Sequence, residues 1–94
     1  MALTWPAVKD PDEVKDYRFD WASILGDDDT ISTSDWSIST GSGLTIDTET
    51  TDGTETVVWL SDGTDGTTYT LLNRITTTGG RTYDQSARLK CRSK

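Results

Sequence analysis

The chain has 94 residues, of which 32% are hydrophobic and 8 are Gly, enough for one domain with a modest core. It holds no His and one Cys (Cys91), which excludes a zinc finger, a Ser-His-Asp triad, a Cys-His pair and an intrachain disulfide. Its net charge of -7 argues against nucleic acid as a main partner, and no apolar run is long enough for a membrane span.

Residues 1–15 read as an extended arm and residues 16–94 as one domain. The opening MALTWPAVKD lacks the basic and apolar stretches of a secretory signal. Pro6 and Pro11 hold the backbone extended and restrict the residue before each. Trp5 either anchors in a partner's pocket, as exposed Trp commonly does, or folds back on its own domain. Trp5, Pro6 and Val8 are therefore the candidate partner-binding residues.

Thr occurs 18 times and Ser 9 times, and Thr favours strands. Tyr17 to Trp21 alternates aromatic and charged residues, the period of a strand with one buried face. Ala22 to Gly26 predicts one helical turn, with Ile24 and Leu25 inward and Gly26 ending it. Asp27-Asp28-Asp29 is a loop. Ile31 to Ile38 is a second strand with a bulge expected near Ser34, because Ile31 is out of phase with Trp36 and Ile38. Leu44, Ile46 and Thr48 form a third, alternating strand. Thr54 to Leu60 is a fourth; Val57-Val58-Trp59-Leu60 is apolar on both faces, so it belongs in the middle of a sheet. Thr68 to Thr77 sets Tyr69, Leu71, Asn73 and Ile75 on one face. After the turn Thr78 to Arg81, the last strand points Ala87, Leu89 and Cys91 inward and Arg88, Lys90 and Arg92 outward.

The turns recur at sandwich spacing. Asp65 to Leu71, DGTTYTL, resembles the tyrosine corner of immunoglobulin-like and fibronectin type III domains, in which a Tyr at the start of the penultimate strand bonds upstream backbone. The expected fold is all-β: an immunoglobulin-like β-sandwich of about six or seven antiparallel strands with an extended N-terminal arm.

Charge is uneven. Residues 1–30 hold 8 acids and 3 bases, residues 31–70 hold 7 acids and no base, and residues 71–94 hold 1 acid and 6 bases. Either acidic and basic strands pair on the solvent face, or the module docks a basic edge on an acidic edge of a copy or another subunit.

Sites for chemistry are scarce. Asp27, Asp28 and Asp29, with Asp35, have the oxygen donors for a hard cation but not the spacing of a helix-loop-helix calcium site, and a solvated acidic turn is the better account of them. Asp62 and Asp65 fit turn chemistry. Cys91 has no base to activate it and reads as a small buried residue. Trp21, Trp36 and Trp59 are placed inward by their phase, whereas a carbohydrate platform needs two or three rings outward. No cofactor, metal or catalytic residue is expected.

The run DPDEVKDYRFDWASILGDDDTISTSDWSI, then GLTI, then VVWLSDGTDGTTYTLLNRITTTGGRTYDQSARLKCR, resembles the small fiber-tail adaptor proteins of tailed bacteriophages. Those proteins share a DPxxxxxYxxDW block, a DTI strand, a VWLSGGTxGTTYTxTNxITT block and a GGRTxxxS terminal strand. The resemblance covers about residues 10–92, with Asp62 where the family more often has Gly and Leu72 where Thr is common. It implies a non-catalytic virion protein, made in the host bacterial cytoplasm, that joins tail or baseplate to tail fiber in several copies of trimeric or six-fold arrangement. Its partners would be tail, baseplate and fiber proteins, neither nucleic acid nor membrane. A carbohydrate- or cell-surface-binding sandwich is the alternative.

Overall fold

Period-two burial marks the strands Lys15–Asp20, Thr68–Thr77 and Thr82–Lys90. The computed structural model describes residues 2–5, 9–26 and 28–93, with Ala2 and Leu3 as backbone alone. The strands are β1 (Ala2–Thr4), β2 (Lys15–Asp20), β3 (Ile31–Thr40), β4 (Leu44–Asp52), β5 (Glu55–Asp62), β6 (Thr68–Thr77) and β7 (Thr82–Lys90), with one helical turn, α1 (Ala22–Leu25).

They form two sheets, ordered β1-β7-β6-β3 and β2-β5-β4. Every pairing between strands is antiparallel except the short parallel one of β1 with β7. The order β2-β5-β4 against β7-β6-β3 matches strands B-E-D against G-F-C of an immunoglobulin-type sandwich. The central place of β5 fits its apolar run. Side chains of both sheets meet in one core that includes Phe19, Trp21, Trp36, Leu60, Tyr69 and Leu89. Phe19 stacks on Trp36 at 5.0 Å and meets Trp21 edge-on at 6.3 Å.

The alternations expected for β6 and β7 hold: Tyr69, Leu71, Asn73, Ile75, Ala87, Leu89 and Cys91 are buried. Three local expectations are corrected. Trp59 does not point inward: Thr56, Val58 and Leu60 take the inner face, which turns Trp59 outward with 40% exposure. Ile24 is also exposed, because neighbouring helical residues point about 100° apart and Leu25 takes the inward direction. The bulge expected near Ser34 falls between Ile31 and Thr33, which lets Ile31 pack against the core with Ile38, and the register of β3 slips again between Ile38 and Thr40. A slip between Ile46 and Thr48 puts Thr48 opposite Trp59, on the outer face.

Candidate docking surfaces

The arm expected over residues 1–15 is tied to the sandwich at several points. Its β1 lies beside β7, the Trp5 N–H donates to the Arg88 carbonyl at 3.0 Å, and Lys9 bridges to Cys91. Trp5 is half-buried. Its ring stacks on Tyr17 at 4.7 Å and tilts against Phe19 at 5.4 Å and Trp36 at 6.0 Å. Of the two fates open to Trp5 in the sequence, the ring takes the one within its own domain. Pro6 and Val8 lie outside the described residues.

Two features under the arm escaped sequence reasoning. Lys9 is fully buried, and its Nζ donates to the carbonyls of Asp62 at 2.6 Å and Asp10 at 3.0 Å. A lysine in a polar stretch gives no sign of burial when one acceptor lies 53 residues away. The Tyr17 hydroxyl and Trp36 Nε1 are buried with no protein hydrogen-bond partner among the described residues. Burial, then the charges of Glu13, Cys91 and Asp16, push the Tyr17 phenol up to about 12.

The tyrosine corner forms. The Tyr69 hydroxyl accepts the Thr64 N–H at 2.8 Å and donates to the Ser42 carbonyl in the β3–β4 turn. That turn approaches closely: a Cβ on Gly41, where φ is +98°, would meet Tyr69 Cδ1 at 2.5 Å.

Asp29 is a structural anion. Its side chain is nearly buried and accepts from the Gly79 N–H (2.9 Å), the Thr30 N–H (3.0 Å), Arg81 Nη1 (3.0 Å) and the Thr78 hydroxyl (3.2 Å). The Thr77 hydroxyl foremost, with the Gly79 N–H and the Arg81 guanidinium, holds its carboxyl well below the usual range. Its oxygens thereby fasten the β6–β7 turn to the loop before β3. Asp28 is exposed, and Asp27 lies outside the described residues. Among the described residues no cluster of acids, His or Cys has a metal-holding arrangement. Asp62, at φ +62°, accepts the Thr45 hydroxyl, and Asp65 accepts the Ser93 N–H. Burial pushes the Cys91 thiol up, away from reactivity.

The outer faces are mostly Thr, Ser and charged residues. Trp59 is the one indole so exposed among the described residues, with Val14 as the other large apolar group near the β2–β5 pair. A single ring is less than a carbohydrate platform requires.

A family model described as podophage GP4 fiber-tail adaptor protein gp77 matches residues 9–90. The chain belongs to this family. The match begins at Lys9, so it includes the buried lysine and every strand from β2 to β7. A comparison with curated proteins found no match. In this adaptor-family chain, Asp29, Asp62 and Asp65 are bound into turns and Cys91 into the core, while Asp28 and Asp35 are exposed, leaving outer faces and edges as the surfaces open to other molecules.

Proposed function

We propose that the chain is a non-catalytic adaptor of a phage virion that joins tail or baseplate to tail fiber by protein–protein docking. The family match over residues 9–90 carries this reading. The way the polar groups are used supports it: Asp29, Tyr69 and Asn73 all bind the sandwich to itself. Several copies per particle, in a trimeric or six-fold arrangement, suit such a junction.

The test is assembly. Particles of the phage that encodes the chain should contain it, and particles made without it should lose their fibers while keeping packaged heads. The purified chain should also form a stable complex with the tail or fiber protein. Fibered particles that lack the chain would overturn the proposal.

A further inference from the structure

The charge split of the sequence becomes spatial in the fold. In the four-stranded sheet β3 is the edge strand farthest from β1 and β7, and in the three-stranded sheet β4 is the edge strand opposite β2. The base-free stretch 31–70 supplies both β3 and β4. On that side Asp35, Asp47 and Glu49 are exposed and make no ion pair among the described residues. Glu49 reaches from β4 to accept the Trp36 N–H at 2.7 Å, which draws its charge towards Asp35 and occupies one edge group of β3. The nearby Arg74 is already held in a two-bond pair with Asp84.

The complement lies on β7, which β6 separates from β3. Arg88 and Lys90 stand two residues apart on the outer face of β7, exposed, and neither makes an ion pair among the described residues. Their register partners are uncharged: Thr4 and Thr70 flank Arg88, and Thr68 flanks Lys90. Arg92 continues the stripe, although Asp65 and Asp10 lie near that end.

We infer that Arg88 and Lys90 on β7 of one copy dock against the Asp35–Asp47–Glu49 edge of β3 and β4 of a second copy. Duplex nucleic acid is disfavoured by the net charge of -7, whereas a second copy brings an acidic edge of opposite sign to the basic pair. Asp35 shares the outer face of the four-stranded sheet with Arg88 and Lys90, with β6 between them, and Glu49 and Asp47 continue the acidic edge onto β4, so each copy presents two distinct patches of unlike charge for the contact. The inference deepens the adaptor reading, on which it rests only for the use of several copies.

The purified full chain tests it without any phage protein. Light scattering at about 0.05 M salt should give at least twice the mass of one chain. At about 0.5 M salt, where the Debye length is roughly threefold shorter, it should give a single chain. R88E/K90E should be monomeric at low salt, and so should D35K/D47K; both sets are exposed, and Glu49 is left in place because it holds Trp36. Mixing the two variants should restore the salt-sensitive assembly, since each then supplies the charge the other has lost. A wild-type chain monomeric at low salt, variants that assemble as well as wild type, or a mixture that stays monomeric would each overturn the inference. So would retention of duplex DNA by Arg88 and Lys90 in place of self-association. If the chain stays monomeric yet fibers require it, the contact is wrong and the adaptor reading stands.

Discussion

The Thr56 hydroxyl on β5 donates to Asn73 Oδ1 on β6 at 2.6 Å, across the gap between the two sheets. Trp21 Nε1 donates to both, at 3.0 Å and 3.2 Å, and the Asn73 amide donates onward to the Ser34 hydroxyl and the Asp35 carbonyl. Asn73 and Thr56 are fully buried, so every bond lost here leaves a group that water cannot reach.

Replacing Asn73 should therefore cost more than its size suggests. Asn73→Ala is expected to lower stability by roughly 2–4 kcal/mol, from a cavity plus orphaned donors. Thr56→Val keeps the volume and leaves Trp21 bonded to Asn73, so it should cost about 1–2 kcal/mol. Urea unfolding of both variants checks the order; a Thr56→Val loss as large as that of Asn73→Ala would place the network's weight elsewhere.

Tyr17 should behave in the opposite way. Its hydroxyl is buried without a protein partner, so Tyr17→Phe is expected to be neutral or to stabilise by about 1 kcal/mol. The pH dependence has a definite sign. A folded value of about 12 lies above the ordinary 10.0, so this contribution is complete below pH 10 and fades as pH rises towards 12. Thermal unfolding from pH 8 to 12 should show an alkaline decline in the wild type that is shallower in Tyr17→Phe.

Trp5 tests whether the arm is part of the fold. Trp→Ala in a core costs roughly 3–5 kcal/mol, and a half-buried ring in a triple aromatic contact should cost about 2–3 kcal/mol. Removal of residues 1–15 should destabilise further, since β1, Trp5 and Lys9 leave together. Differential scanning calorimetry of both forms decides the matter. An unchanged Tm for Trp5→Ala would mean that the ring is free to serve a partner.

Asp29 governs the acid limb. Its folded value is depressed, so its contribution is complete above the ordinary 3.8 and is lost as pH falls below that value. Asp29→Asn should be less stable at neutral pH and should lose less on acidification from pH 5 to 2. Circular dichroism melts across that range provide the comparison. Parallel acid limbs in the two proteins would contradict the assignment.

Where side chains alternate, the sequence was enough. The phase of β6 placed Asn73 among Tyr69, Leu71 and Ile75, and that of β7 separated Leu89 and Cys91 from Arg88 and Lys90, because a strand has only two faces. The corner at Tyr69 was visible for a similar reason, since the Thr64 N–H that its hydroxyl accepts lies in the turn just before it, whereas the Ser42 carbonyl that it reaches lies in a distant turn. Val57 to Leu60 carries no such phase, so only the register of β5 could show that Trp59 faces out.

The chain's own order of residues thus determined the class of fold, the strand count within one and the inward face of its last hairpin, all consequences of short-range periodicity. Tertiary structure alone decided that Trp5 enters the aromatic stack, that Lys9 is buried against the Asp62 carbonyl, and that Glu49 of β4 reaches the Trp36 N–H of β3. Those outcomes depend on groups brought together from distant parts of the chain, and no local pattern encodes which distant group will be met.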